Sequence, residues 1–203
     1  MKDIKLIILS TLLFLLTLVN GNAQSKKVPK KVKEPSPIGL GINLGNVSFF
    51  NHTFQFGLSP NVAFRVSESL ALGLMLKANY YYEKFPVERA KFSAFDLGPT
   101  VFARFKPLWG WDNATPFLKG LFLQAEYEKG FLTRYYVDQS GYPIIIDNHV
   151  ERLKFKEDFV YIGIGATSGY PFSTFVSIHY NLLDDFDSAR DPFEYRIGFT
   201  YNY

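Results

Sequence analysis

Charged residues in this chain tend to stand alone within apolar runs or one residue apart: Arg65, Lys77, Asp96, Arg104, the pair Glu126 and Glu128, and the pair Glu194 and Arg196. They number four of each sign, and each falls on the small or polar side of an alternating pattern. If that side faces an interior, an unpaired charge there is expensive, so balanced numbers imply a paired network. Such a network is either a structural filling or a binding or gating site. Nucleophilic chemistry needs a nucleophile beside a base. Of three histidines, His52 and His149 lie in or beside loops, and His179 joins the inward set on the segment Ser177-Ile178-His179-Tyr180-Asn181. Asp184, Asp185 and Asp187 make an acidic cluster that reads as a solvated loop, with a loop calcium site as the sharper alternative.

The elements that must carry these residues are strands. After Pro37 no helical pattern lasts beyond a turn or two, and apolar residues alternate with polar or tiny ones. Eight such segments follow: Ile38 to Gly45, Thr53 to Val66, Leu70 to Tyr82, Phe95 to Phe105, Phe117 to Glu128, Val160 to Gly165, Phe175 to Leu182 and Phe193 to Tyr203. The last alternates without a fault and ends on an aromatic residue. The expected fold is all-β: an eight-stranded antiparallel up-and-down transmembrane β-barrel over residues 38–203. The strand lengths approach the roughly 9–11 residues needed to cross a bilayer at a tilt, and an even count lets the sheet close.

The two faces decide where such a barrel lives. The polar side is mostly Gly, Ala, Ser, Thr and Asn, which suits the narrow interior of eight strands, leaving no room for a water-filled channel. Inward Met75, Tyr81, Phe102, Phe122, Tyr161 and Phe175 are expected to fill what remains. The other side is large, aromatic and nearly unbroken; in water it would form a patch far beyond what soluble monomers expose. Lys119 on that side is expected to snorkel. Short connections alternate with long ones, the polarity of barrels with short periplasmic turns and long outer loops. The exception, Lys106 to Pro116, carries Trp109 and Trp111, whose amphipathic rings suit the headgroup level. Leu58-x-Pro60-x-Val62-x-x-Arg65 nearly repeats as Leu97-x-Pro99-x-Val101-x-x-Arg104, 39 residues on. Proline removes a ladder hydrogen bond, so a bulge or weak pairing is expected at both.

Upstream, Met1 to Ala23 has the form of a secretory signal peptide: basic start, a fourteen-residue apolar stretch from Leu6 to Val19, then Gly21 and Ala23 at small positions. Removing its two lysines and one aspartate takes the net charge from +3 to +2. Residues 24–37, with five lysines and three prolines, read as a basic, disordered periplasmic leader. There is no cysteine, so disulfides, thiolate metal sites and a lipid-anchored thiol are excluded. The reading calls for no cofactor, no metal and no nucleic-acid partner.

The signal ending Asn22-Ala23-Gln24, the glycine-rich first strand Ile38 to Gly45 and the aromatic last strand resemble the small eight-stranded outer-membrane barrels of Bacteroidota, broadly similar to OmpA/OmpX-type barrels. The resemblance implies an integral outer-membrane location with both termini periplasmic, and contact with lipid and lipopolysaccharide. It also implies recognition of Phe199, Tyr201 and Tyr203 by the barrel-assembly machinery. Ser177 to Asn181 loosely resembles the His-x-Ser region of outer-membrane lipid A deacylases, with Asn181 standing where that pattern has serine. Asp187-Ser188-Ala189 resembles a short O-glycosylation signal of Bacteroidota.

The loop from Gly130 to Glu157 is the most distinctive outer feature. Its apolar residues, Tyr135, Tyr136, Tyr142 and Ile144 among them, are expected to extend the strands as a hairpin with Asp138 to Gly141 at the tip, a ribbon that could bind partners. The functional expectation is a non-enzymatic barrel with a plugged lumen, contributing envelope structure or surface interaction through its outer loops. The alternatives are an accessory subunit of a larger outer-membrane complex, for secretion or nutrient uptake, and a lipid-modifying enzyme.

Overall fold

The computed structural model describes residues 37–50, 52–86, 89–138, 142–146, 149–169, 171–184 and 190–202. The signal peptide, all of the leader but Pro37, Tyr203, the tip residues Gln139 to Gly141, and Asp185, Asp187, Ser188 and Ala189 lie outside these.

The strands are β1 (Ile38–Phe50), β2 (Thr53–Arg65), β3 (Leu70–Phe85), β4 (Ala90–Phe105), β5 (Leu121–Tyr135), β6 (Ile145–Ile146), β7 (His149–Val150), β8 (Arg152–Ser168), β9 (Phe172–Asn181) and β10 (Phe193–Tyr201). Eight of them close into one antiparallel barrel in the order β1-β10-β9-β8-β5-β4-β3-β2, while β6 and β7 pair only with each other. Closure is made by the last strand on the first, from Leu40 opposite Tyr201 to Gly45 opposite Arg196. The expected up-and-down barrel therefore forms.

Strict alternation does the sorting. Along β10, Phe193, Tyr195, Ile197, Phe199 and Tyr201 are exposed, while Glu194, Arg196, Gly198 and Thr200 are buried. Around the barrel, Leu72, Leu74, Leu76, Phe95, Val101, Leu123, Ile162 and Ile164 all point out and stay exposed. The prolines weaken pairing without shifting it. The β2–β3 ladder breaks between Leu58 and Asn61, and the β4–β5 ladder between Leu97 and Thr100, each resuming in the same register.

Two expected details are corrected. The fifth strand does not begin at Phe117. Thr115 caps a helical turn, α1 (Pro116–Lys119), by accepting from the Leu118 N–H, with Pro116 at its start, where a missing N–H costs nothing. Phe117 and Lys119 thus belong to a turn rather than to the outward face of a strand. The seventh strand begins earlier than expected, since β9 starts at Phe172 and not at Phe175, which shortens the connection before it.

At the end away from the termini, β3–β4 and β5–β8 run on as two long hairpins. The β5–β8 ladder continues to Tyr135 opposite Arg152, and beyond it Val137 bridges Pro143. The Asp138 N–H donates to the Tyr142 carbonyl at the base of the expected tip, while β6 and β7 pair as a second, two-residue antiparallel ladder. An apolar cluster of Ala90, Phe92, Ala94 and Val150, flanked by Tyr81, Phe85, Tyr135 and Ile145, packs between these segments.

Candidate functional site: the ionic interior of the barrel

Inward positions of β3, β5, β8, β9 and β10 meet in the middle of the barrel, and the charged ones find each other. Lys77 Nζ stands 3.1 Å from Glu126 Oε2, 2.9 Å from Glu128 Oε2 and 3.1 Å from Glu194 Oε2. Arg196 grips Glu126 with two N–H groups and donates to Glu194 at 2.6 Å, the forked geometry that guanidinium offers carboxylates. Glu128 also accepts from Arg190, at 2.6 Å. Three cations thus oppose three carboxylates, and Lys77, Glu126, Glu128 and Arg196 are almost fully buried.

Aromatic faces complete the packing. Lys77 Nζ lies 4.1 Å from the centre of the Tyr161 ring and the Arg190 guanidinium 4.6 Å from that of Phe159; cations over ring faces gain from the ring quadrupole. Nearer the termini, Arg104 donates to Gln124 Oε1 at 2.6 Å and sits 4.2 Å from the centre of the Phe122 ring and 5.0 Å from that of Phe175. In the other direction Asp96 accepts from the Thr133 N–H at 2.9 Å and pairs with Arg134 at 2.8 Å.

Glycines make this density possible. A Cβ on Gly98 would come 1.9 Å from Glu128 Oε1, so β4 must lack a side chain there for Glu128 to lean across it. A Cβ on Gly163 would come 2.2 Å from the His179 ring.

Of the charges expected inside, Lys77, Asp96, Arg104, Glu126, Glu128, Glu194 and Arg196 are buried and partnered. Arg65 is a correction. It lies at the mouth of the barrel, half-buried, and donates to the Asn202 carbonyl at 3.3 Å instead of joining the network. Two partners escaped the sequence reading: Arg134, on the long hairpin, and Arg190, which reaches in from the loop before β10. The balanced inward count concealed them, since the carboxylates seemed already matched. Phe92, Leu132 and Phe159 likewise join the expected inward apolar residues, while Tyr81 is only half-buried.

His179 Nε2 lies 3.5 Å from Glu126 Oε1. Neither His179 nitrogen nor Ser177 Oγ makes a hydrogen bond among the described residues, so no nucleophile–base pair is assembled on β9. Among the described residues no group of His, Asp or Glu has the arrangement to hold a metal ion, and the three carboxylates that converge do so on Lys77.

Trp109 and Trp111 are exposed on the connection after β4, with Lys106 Nζ 5.3 Å from the Trp109 ring centre. Burial first, and then the Arg104 and Arg65 charges, lowers the Lys106 pKa to about 8. Phe199 and Tyr201 face outward on β10. Of the surface-loop residues, Tyr136 and Tyr142 are exposed and Ile144 is half-buried. Tyr135 is not free surface, because its ring packs edge-on against Phe85 and Phe92, each at 5.2 Å.

Fold and lining together define a closed eight-stranded barrel with an ionic interior and an apolar exterior. No known family model matches the chain, and no curated protein sequence matches it. Among solved structures it is similar to the N-terminal barrel domain of Pseudomonas aeruginosa OprF, at 11% identity over 80% of this chain and 96% of that one, with a TM-score of 0.47. It is also similar to a de novo designed transmembrane β-barrel (11% identity, 83% and 97% coverage, TM-score 0.36) and to the β domain of the Bordetella autotransporter BrkA (12%, 82% and 98%, TM-score 0.28).

Proposed function

We propose that the chain is an integral outer-membrane β-barrel with a lumen plugged by its own side chains, acting in envelope structure or surface interaction through its long-loop end and not as an enzyme. The observation that carries this reading is the inversion of the faces. Lys77, Glu126, Glu128 and Arg196 are inside and dry, while Leu74, Phe95, Ile164 and Phe199 are outside and bare. A water-soluble barrel needs the opposite, whereas a bilayer solvates such a face and closure satisfies the backbone within it. In this reading both termini and the connections at 66–69, 106–120 and 169–171 face the periplasm, Trp109 and Trp111 sit at the interface, and Phe199, Tyr201 and Tyr203 form the segment read by the assembly machinery.

Fractionation of cells expressing the chain tests this. The expected result is protein in the outer-membrane fraction whose gel mobility changes on heating. Recovery as soluble periplasmic protein overturns the reading.

A second reading, an accessory subunit of a larger outer-membrane complex, is favoured by one feature. Ala103 and Ala125 face each other on adjacent strands and leave an outward recess bordered by Phe105, Leu123, Ile162, Ile164, Tyr180 and Phe193. Small residues let another apolar element approach closely in a membrane. A stoichiometric partner retained through purification in mild detergent selects this reading.

A further inference from the structure

We propose that the outward face of β3, β4, β5 and β8, just beyond the apolar belt on the long-hairpin side, binds the phosphates of a phosphorylated membrane glycolipid through Lys84, Lys91, Lys154 and Lys156. The proposal rests on the membrane reading above.

Strand parity places the four. Lys84 continues the outward row of Tyr80 and Tyr82, Lys91 that of Leu97 and Phe95, and Lys156 and Lys154 that of Ile162 and Val160. All four lysines are exposed. The lysines stand on β3, β4 and β8, with β5 between the last two, and β3, β4, β5 and β8 are consecutive around the barrel, so the four share one flank. Lys156 is four residues past Val160, about 13 Å along a strand rising about 3.3 Å per residue. At a tilt of roughly 40° this is about 10 Å along the barrel axis, the step from acyl chains to headgroups. The Lys156 ammonium is 5.4 Å from the Phe131 ring centre, so its stem lies against the barrel wall with the charge at the belt's edge.

The electrostatics call for an anion. Lys84 and Lys91 are directly opposite on β3 and β4, and like charges facing across strands repel. Lys154 and Lys156 are two residues apart on one face, about 7 Å. The carboxylate on this face of β8, Asp158, is engaged by Lys129 at 2.7 Å. Among the described residues, none of the four lysines has an ion-pair partner. A bilayer-anchored phosphate answers this pattern better than a soluble anion, because the lysines adjoin an apolar wall that holds acyl chains beneath them. Lysine is a point-charge donor suited to phosphate.

The test uses the full chain folded in detergent and bisphosphorylated lipid A as the probe, with lipid retention measured by native mass spectrometry. Wild type should hold the phosphorylated lipid at least about tenfold more tightly than the dephosphorylated one, since each basic side chain at an anionic surface contributes roughly fivefold. The combined variant Lys84→Gln, Lys91→Gln, Lys154→Gln, Lys156→Gln should lose that preference, and Lys106→Gln with Lys119→Gln, at the other end, should keep it. Equal retention of the two lipids by wild type overturns the proposal even if the combined variant does not fold. An unchanged preference in a folded combined variant overturns it as well. Heat-modifiable mobility after insertion into phosphatidylcholine vesicles reports on the membrane reading separately, because those vesicles carry no lipid A.

Discussion

Replacing Lys77 by methionine, which keeps the length of the side chain and removes its charge, probes the barrel interior directly. In the native protein three carboxylate oxygens surround the ammonium within 3.1 Å, and the lysine is 1% exposed. After the change Arg196 still holds Glu126 and Glu194, and Arg190 still holds Glu128, so two cations face three carboxylates and one negative charge is left over. Breaking a buried pair from one side costs about 3–5 kcal/mol, chiefly through the charge left behind. With a urea slope of about 1–3 kcal/mol/M, the unfolding midpoint in detergent, followed by the heat-sensitive mobility shift, should fall by roughly 1–5 M. Adding Glu128→Gln removes the surplus charge and should restore about 1–3 kcal/mol, a coupling expected between contacting residues. A midpoint shift below about 0.5 M, or a double variant no more stable than Lys77→Met, refutes the view that this cluster is an electrostatic unit.

Two further outcomes follow from the outer face and the turn. Leu74→Arg places a cation on the outward face near mid-strand, and should lower folding stability in bilayers by about 2–4 kcal/mol; an unchanged midpoint would mean that this face does not meet lipid. For Lys106, the folded pKa of about 8 lies below the ordinary 10.5. Between those values the unfolded chain binds more protons, so this group makes stability rise with pH there. Lys106→Gln should flatten the rise between pH 8 and 10.5 relative to wild type, and equal slopes in the two proteins count against the assigned burial.

Much of the barrel could be read directly because strand parity is a local property. Once alternation over Phe193 to Tyr201 is recognised, each inward residue on that strand follows with no knowledge of what lies across the lumen, and Glu194, Arg196 and Thr200 are where parity puts them. The same logic located Lys77, Glu126, Glu128 and His179. Parity fails where the element is not a strand. Thr115-Pro116 is a helix-start signal that outweighs the alternation continuing through Phe117, and it was legible in the residues themselves. Tyr135 departs for another reason: beyond Phe131 the β4–β5 ladder ends, and the freed hairpin packs its aromatic residue onto Phe85 and Phe92.

The sequence by itself thus determined the class of fold, the faces of its strands and most of the buried charges, because these depend on period and side-chain type alone. Only the tertiary structure decided which charges meet. Arg190 comes from a loop 62 residues away from Glu128 along the chain, and no spacing rule links them. Arg65 leaves the network for the Asn202 carbonyl, because strand closure brings the chain's end to the mouth of the barrel. Gly98 is one more alternating small residue until Glu128 is seen leaning across it. Pairing across a closed barrel is set by register and tilt, which are properties of the whole sheet, and a one-dimensional pattern carries no record of them.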